Sequence, residues 1–585
     1  MPTLNWIGKQ AVVNHHNEVP FRLLKCREDL SVGEPDSGNL LVQGDNLEAL
    51  KALLPYYAGQ VKCIYIDPPY NTGNEGWVYN DAVNSPEMRD WLGKVVGGEA
   101  EDLSRHDKWL CMMYPRLSLL HEMLRDDGAI FISIDDAEIS NLRIMMDEIF
   151  GSNNFVECIT WNKRIPKNDA GIGNIHEYVL VYRKRTSWKY EFTMAKGGIE
   201  KVWQLLDELK LKSIPIPEAE KFLRDLYKQE KFDRGITLYN TLDENYRPWG
   251  KINLSWPNAN TFGPRYIVPH PINNKPVRIP ERGWRWKEDT FKEKLGDEIV
   301  KELSDGTYIV GEIWFDKDER TQPSLVKYLD AVDRILLRSI ISLKSDGGIE
   351  LESIFGEKAK FAYPKPTSLI KLLIDSLEMK DGDIVFDSFA GSGTTAHAFL
   401  KKNSEDGINR RFVLVEMEPD VVVNITAERI KRVIKGYGDS SGLGGGFRFC
   451  ELGATLFDPS GQIREEVTYL DLAQHVYFIE TGTPLPTIGE PPPSVPQKSS
   501  DFRGRDASFP LLGVHNGIAI YLLYNGVLKD KSVRSGNVLT TEVLASLPQH
   551  DGLKVIYGTG CRLGSHRLQN LGITFKQIPY EIREK

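Results

Sequence analysis

The sequence predicts an α/β protein: a mostly parallel sheet wrapped by helices, split by an inserted domain and followed by a small α/β tail. Three features point there. Strand and helix patterns alternate over 40–185 and again over 346–440. Between these stretches the rhythm breaks. Finally, two apolar strands far apart in the chain each end in an acid followed by residues that do not extend a β-ladder.

Residues 1–39 show no strong period and read as an arm or edge element. "NLLVQG" is a strand, and "DNLEALKALL" a helix opening at an acid able to cap it. "VKCIYI" reads as a buried strand. In "DKWLCMMYPRLSLLHEMLRDDG", Leu110, Met113, Leu117, Leu120 and Leu124 recur at helical spacing, so a helix is expected through Leu124, closing at Gly128. "AIFISID" is a strand, "AEISNLRIMMDEIF" a helix, and "FVECITW" and "EYVLVYRK" two more strands. Over 186–345 tryptophans, prolines and charges mix without a steady period, which marks an insertion. Alternation returns with helix "TSLIKLLIDSL", strand "DIVFDSF", helix "TTAHAFLKK", strand "RRFVLVEME" and helix "VVVNITAERIKRVI", until "GYGDSSGLGGG" ends it. A coupling segment spans 441–480, a Pro- and Ser-rich linker 481–507, and the tail 508–585.

With 41% apolar and 26% charged residues, the composition is that of a soluble globular protein rather than a disordered chain. No uninterrupted apolar stretch reaches membrane-spanning length, and the N-terminus lacks the layout of a signal peptide. A cytoplasmic protein with no membrane partner is therefore expected. Cys26, Cys63, Cys111, Cys158, Cys450 and Cys561 are scattered, without CxxC or Cys/His pairing, so neither a disulfide framework nor a metal site is expected. The net charge of −9 argues mildly against a nucleic-acid partner, but charge acts locally. Between Cys158 and Tyr190, Lys163, Arg164, Lys167, Arg183, Lys184, Arg185 and Lys189 face only Asp169 and Glu177, interleaved with Trp161, Tyr178, Tyr182, Trp188 and Tyr190. Such a segment serves equally as a solvated face or a phosphate-tracking surface.

The first acid-ended strand is "VKCIYIDPPYNTG". Catalytic loops often sit beyond the carboxyl end of a parallel strand, where strand order reverses. A plain turn accounts for Asp67-Pro68-Pro69, since proline donates nothing to a ladder and Asp favours turns. It does not account for Tyr70 immediately after, nor for the second loop. That loop, "VFDSFAGSGTTAHAF", ends a strand at Asp387, turns through Gly391 and Gly393, and starts a helix at Thr394-Thr395. Glycines admit a ligand close to the backbone, and the helix start offers unpaired N–H groups. No lysine lies between Gly391 and Leu400, against a P-loop, and Ala396 makes the dinucleotide fingerprint partial. The third reading is a nucleoside without phosphates; Glu416, at the end of the next strand, suits its ribose hydroxyls.

Together the loops resemble the paired signatures of amino-methyltransferases that act on nucleic-acid bases, "DPPY" the catalytic motif and "DSFAGSGTT" the S-adenosylmethionine motif. Their order, catalytic motif first, resembles the β group of DNA amino-methyltransferases, with its circularly permuted Rossmann-like sheet. In protein-glutamine methyltransferases the glycine loop instead precedes Asn-Pro-Pro-Tyr. "LLVQGDNLEALKALLPYYAGQVKCIYIDPPYNTGNEGWVYND", "GAIFISIDDAEISNLRIMMDEIFG", "HEYVLVYRK" and "YPKPTSLIKLLI" are similar to modification subunits of type III restriction–modification systems. The similarity covers roughly 40–185 and 345–435, and the insertion loosely. Many solitary β-group enzymes carry Thr-Gln-Lys-Pro where this chain has Tyr363-Pro364-Lys365-Pro366, which favours the type III branch.

The resemblance implies a catalytic half at 40–185, an S-adenosylmethionine half at 346–440, target recognition by 186–345 and partner docking by 508–585. It implies S-adenosylmethionine as cofactor, double-stranded DNA as substrate, and a second copy or a separate restriction, helicase or defence subunit as partner, in a prokaryotic cytoplasm at the nucleoid. Asp67, Pro68, Pro69 and Tyr70 form the catalytic motif. The Asp67 carboxylate and Pro68 carbonyl hold the amine hydrogens of a flipped-out base, and Tyr70 stacks on it. Asp387, Phe389, Ala390, Gly391, Gly393 and Thr394 form the cofactor loop, with Glu416 on the ribose and Lys365 and Thr367 near the methionine end. Asp45 has two readings of equal weight, a helix cap or a partner for the cofactor's adenine amine. Trp161 or Tyr178 is offered as a second stacking wall. Arg282, Arg285 and Lys287 serve target recognition or structure. The expected reaction is methylation of adenine N6. The alternatives are cytosine N4, where Ser-Pro-Pro-Tyr is commoner, and a recognition subunit for a separate nuclease or helicase. A cytosine-C5 enzyme needs a cysteine after proline, and none of the six follows one.

Overall fold

The computed structural model describes residues 3–33, 37–72, 86–96, 104–164, 173–187, 191–296, 299–303, 305–358, 361–486, 510–524 and 537–582. The chain forms two compact units, Met1–Glu191 with Arg338–Lys585, and Phe192–Leu337.

The first unit is built on a ten-stranded sheet. Its strands are β1 (Arg22–Val32), β2 (Leu40–Gln43), β3 (Val61–Ile66), β4 (Leu124–Ile134), β5 (Phe155–Asn162), β6 (His176–Arg183), β7 (Ile340–Ser342), β8 (Ile384–Asp387), β9 (Arg411–Glu416) and β10 (Phe447–Thr455). Their spatial order is β1-β10-β2-β9-β8-β3-β4-β6-β5-β7. From β10 to β4 all neighbours run parallel. Strand β6 is antiparallel to both β4 and β5. All six residues of β3 and all four of β8 are buried, as continuous apolar runs covered on both faces should be.

The decisive pairing joins β3 to β8. Val385 lies opposite Cys63 and Phe386 opposite Ile64, so the two acid-ended strands are neighbours despite the chain between them. Beyond β8 the sheet continues through β9 to β2; beyond β3 it continues through β4 to β6. Order reverses between them, which opens a crevice at their carboxyl ends. Helices α1 (Asn46–Tyr57), α2 (Arg105–Met123), α3 (Gly347–Phe355), α4 (Thr367–Asp375), α5 (Thr394–Asp406) and α6 (Glu428–Lys435) belong to this unit. Leu50, Leu53, Leu117 and Leu120 join Ile64, Ile132, Phe386 and Val413 in one core.

Two expectations are corrected. The helix expected through Leu124 stops at Met123, and Leu124 is already extended (φ −67, ψ 133) as the first residue of β4. Pairing with Val61 wins over helical spacing, because Leu124 is buried either way. Gly128 lies within that strand, where an added Cβ would meet the Val61 carbonyl oxygen at 2.9 Å. Cys26 and Cys450, expected to be free, face each other across β1 and β10 and are joined by a disulfide. Their separation of 424 residues hides the pair from any reading of spacing.

The expected coupling segment supplies β10 and nearly all of the helix Tyr469–Thr481. Leu472, Val476 and Tyr477 of that helix share a core with Ile520, Leu522 and Tyr557 of a four-stranded tail sheet (Leu511–His515, Ile518–Leu522, Leu553–Gly558, Ile573–Gln577). Most of the expected linker, from 487 on, lies outside the described residues. Among the described residues no helix is long and apolar enough to cross a membrane.

The second unit holds a six-stranded antiparallel sheet in which Pro248–Asn253 pairs with Ser324–Tyr328, with helices Ile199–Leu211 and Ile216–Glu230. Its many aromatics are largely core: Trp249, Trp284, Phe291 and Phe315 are buried. Arg282, Arg285 and Lys287 are exposed around the buried Trp284.

Candidate active site

Strand β3 delivers Asp67 to the crevice, and the following turn is held from behind. The Trp109 indole of α2 donates to the Pro69 carbonyl (2.7 Å). Asn71, in a left-handed conformation (φ 59) and 2% exposed, donates its side-chain amide to the buried Glu138 (2.5 Å). Among the described residues no donor takes the Pro68 carbonyl.

Asp67 sits in a charged cluster. Its Oδ1 accepts the Tyr70 hydroxyl (2.8 Å) and the Lys365 ammonium (2.9 Å). The same two donors reach Oε2 of Glu177, at 3.2 and 3.3 Å, while Lys163 holds the other Glu177 oxygen at 2.8 Å. The Lys365 ammonium also lies 4.8 Å from the Tyr70 ring centre. Burial pushes the Asp67 carboxyl above its usual range, outweighing the pull of Lys365. Burial works against the Lys365 charge, but Asp67 and Glu177 overcome it and hold the ammonium firmly protonated. At Glu177 burial pushes up, and Lys365 and Lys163 together bring the carboxyl below its usual range. Glu177 arrives here because β6 runs against β4, so its start rather than its end reaches this edge of the sheet.

The neighbouring turn is held by its own backbone. Asp387, 2% exposed, accepts the Phe389 N–H (3.0 Å) and the Thr395 hydroxyl (2.5 Å). Burial raises its carboxyl to about 7, with the charges of Asp67 and Glu416 adding to that push and its two donors opposing. Gly391 and Gly393 take φ 50 and 75, and a Cβ on Gly393 would meet Thr426 Cγ2 at 3.1 Å. No side chain caps α5, and its first two residues, Thr394 and Thr395, stand at the crevice. The fully buried Arg429 braces the turn from behind, donating to the Ser392 and Thr394 hydroxyls (3.0 and 2.8 Å) and to Glu350 (3.3 Å).

A cleft joins the two turns. Of the residues singled out from sequence, Asp67, Lys365, Asp387, Phe389, Ala390, Gly391 and Thr394 line it. Pro68, Pro69, Tyr70 and Gly393 complete the turns without lining it. Asp45, Thr367 and Glu416 stand outside the lining. Asp45 caps α1, accepting the Leu47 and Glu48 N–H groups, and pairs with Arg116 (3.0 Å). Thr367 donates to Glu350 (2.5 Å). Glu416 accepts the N–H groups of Gly391 (2.8 Å) and Glu418 (3.0 Å), so its carboxylate shapes the glycine turn. Neither proposed stacking wall reaches the cleft: Trp161 is 1% exposed and donates to the Leu343 carbonyl, and Tyr178 donates to Asp136. Three of the described basic residues of the segment turn to separate partners. Lys163 turns toward Glu177, Lys184 donates to the His121 carbonyl and Arg185 pairs with Asp126, while Lys167, Asp169, Trp188, Lys189 and Tyr190 lie outside the described residues. Sequence reasoning gave no site role to Tyr65, Phe361, Tyr363, Pro364, Ser392 and Thr395 in the lining, nor to Glu177 and Lys163 beside it. For Glu177 the available signal was an acid heading the apolar run "EYVLVYRK".

The DNA methylase family profile matches residues 61–427, from the first residue of β3 past both turns. The chain belongs to the DNA methylase family. It is 31% identical over 508 residues to the Mod subunit of the type III restriction–modification enzyme EcoP15I of Escherichia coli, covering 81% of this chain and 74% of that one. To the StyLTI Mod subunit of Salmonella typhimurium it is 33% identical over 409 residues, covering 67% and 54%. Among solved structures the cytosine-N4-specific PvuII DNA methyltransferase is similar over 67% of this chain and 86% of its own, at a TM-score of 0.31 and 12% identity. This DNA methylase is a site-specific DNA methyltransferase of the restriction–modification kind, and S-adenosylmethionine is its methyl donor. The cleft suits that donor: a glycine turn that brings the backbone of Gly391 into the lining, bordered by recessed carboxylates fit for a cation and lacking a phosphate-binding lysine.

Proposed function

We propose that the chain methylates N6 of an adenine flipped out of duplex DNA, with Asp67, Pro68 and Tyr70 handling the base and the Asp387–Thr394 turn holding the cofactor. The reading is carried by the adjacency of β3 and β8, which places both turns on one cleft. S-adenosylmethionine supplies the methyl group: the N6 lone pair forms the new N–C bond as sulfur keeps the electron pair of the broken S–C bond.

The chain's own work is positioning and electrostatics. The adenine amine is a poor nucleophile because its lone pair is delocalised into the ring. Asp67 and the Pro68 carbonyl each accept one of its hydrogens, which favours a pyramidal nitrogen, and Asp67 takes the surplus proton after transfer. Its raised pKa suits that task. Extruding the base costs on the order of a few kcal/mol. Stacking on Tyr70 returns about 1–3 kcal/mol. Asp67 stands where serine is commoner in cytosine-N4 enzymes, which favours adenine. Lys365 and Thr367 are proposed for the methionine end, and Glu416 acts on the cofactor through the glycine turn. The unit Phe192–Leu337 is proposed to read the target sequence, and the tail to dock a second copy or a restriction subunit, in the cytoplasm at the nucleoid.

Nucleoside mass spectrometry of DNA incubated with the chain and S-adenosylmethionine tests the reading. N6-methyladenine is expected; N4-methylcytosine as the sole product would replace it with the alternative chemistry. Long-read sequencing of DNA from expressing cells then gives the sequence context.

A further inference from the structure

We propose that Glu177 is a positioning residue for methyl transfer: a second carboxylate that takes over the Lys365 ammonium and the Tyr70 hydroxyl when Asp67 engages the target amine. The inference rests on the catalytic reading of Asp67 and adds a residue that the motif does not contain.

The geometry makes the exchange small. Oδ1 of Asp67 already accepts two donors, Tyr70 at 2.8 Å and Lys365 at 2.9 Å. An incoming amine must compete with both for that oxygen. Each donor is also within reach of Oε2 of Glu177, at 3.2 and 3.3 Å, so it can lean from one carboxylate to the other without leaving the cluster. Lys163 fixes the opposite Glu177 oxygen at 2.8 Å, which keeps Oε2 aimed at the two donors. The Lys365 side chain is only 11% exposed. Were Asp67 its sole carboxylate, freeing Asp67 for the amine would leave a recessed ammonium unpaired, which is strongly unfavourable. With Glu177 present, the ammonium keeps a partner throughout.

Tyr70 gains from the same arrangement. Its hydroxyl has one proton to donate and two carboxylates to choose between. Moving that bond to Glu177 anchors the ring from its far end while Asp67 turns to the base. Asp67 is then relieved of both competing donors, and the charge of the cluster is unchanged.

The groups facing Glu177 come from every neighbouring element. They are Lys163 after β5, Lys365 before α4, Asp67 and Tyr70 after β3, and Tyr65 within β3. Asp387 faces Asp67 from β8. The Glu177 charge pushes the Asp67 carboxyl upward, so its removal lowers the pH at which Asp67 takes a proton. That limb reports the Glu177 charge at Asp67; a merely structural glutamate would not give a slowed transfer step with cofactor affinity preserved.

The test is single-turnover methyl transfer by the full chain at saturating S-adenosylmethionine and DNA, as a function of pH, for wild type, E177Q and D67N. E177Q is expected to slow transfer about 10–100-fold, the scale of a misplaced reacting group. Its cofactor affinity should stay close to wild type, and the acid limb of its rate profile should move to lower pH. A wild-type rate with an unmoved limb overturns the proposal, as does a parallel loss of rate and cofactor binding in a normally folded E177Q. If E177Q melts early, K163M is read instead, because it frees the second Glu177 oxygen while leaving the carboxylate. Slower transfer with preserved cofactor binding then supports the proposal, and a wild-type rate sinks it. D67N separates the two readings: an active D67N removes the catalytic assignment itself, whereas an inactive D67N beside a fully active E177Q removes only the role of Glu177.

Discussion

The turn after β8 is fixed by hydrogen bonds to its own backbone, whereas the turn after β3 is held by shared side-chain charges. In the first, Asp387 accepts the Phe389 N–H and Glu416 the Gly391 N–H, and the buried Arg429 braces Ser392 and Thr394. None of these contacts needs to change for a ligand to bind, so the cradle is ready-made. In the second, Asp67 and Glu177 share the same two donors, Tyr70 and Lys365, over distances of 2.8–3.3 Å. The contrast teaches a division of labour. A rigid turn suits a cofactor that must be bound the same way at every turnover, and an exchangeable cluster suits a base that arrives, reacts and leaves.

The strongest way to break this contrast is Asp67→Ala. It should lower the transfer rate by about 10³-fold or more while leaving cofactor affinity near wild type, read by radiolabelled methyl transfer beside calorimetric binding. Parallel loss of DNA binding would mean that Asp67 does something other than chemistry. Tyr70→Ala should come next, slowing single-turnover transfer by about 10–100-fold, the equivalent of the stacking energy. Tyr70→Trp should recover part of the rate if stacking is the cause. On the cofactor side, Gly393→Ala places a Cβ at φ 75 against Thr426, and cofactor affinity should fall by about tenfold, with the saturated rate less affected. The smallest effect concerns pH. Because the Asp387 carboxyl titrates at about 7, its charge is present above that pH and lost below it. Affinity for the cationic cofactor should therefore weaken severalfold as pH falls through neutrality, and Asp387→Asn should flatten the dependence.

Local signals carried much of the architecture. Apolar runs ending in acids announced β3 and β8, and Gly391 and Gly393 just before a helix announced the cradle. What escaped depended on contacts between distant segments. Leu124 continues a helical spacing perfectly, yet pairing with Val61 converts it to strand. Cys26 and Cys450 meet only because β1 and β10 close one edge of the sheet. Glu177 and Tyr178 are adjacent in β6 and so face opposite ways; sequence shows that they differ but not which one turns to the cleft. The ring of Tyr178 makes it, with Trp161, a candidate stacking wall from sequence, and the structure brings Glu177 to Tyr70 instead. Asp45 and Glu416 were legible as acids at strand ends, but their work on nearby backbone N–H groups required coordinates.

The most direct test is a crystal structure of the full chain with S-adenosylhomocysteine and the wild-type motif intact. The ligand is expected between the Asp387–Thr394 turn and Lys365, with its sulfur directed at the space beside Asp67. Ligand bound away from that cleft, or with its sulfur turned away from Asp67, would contradict the account.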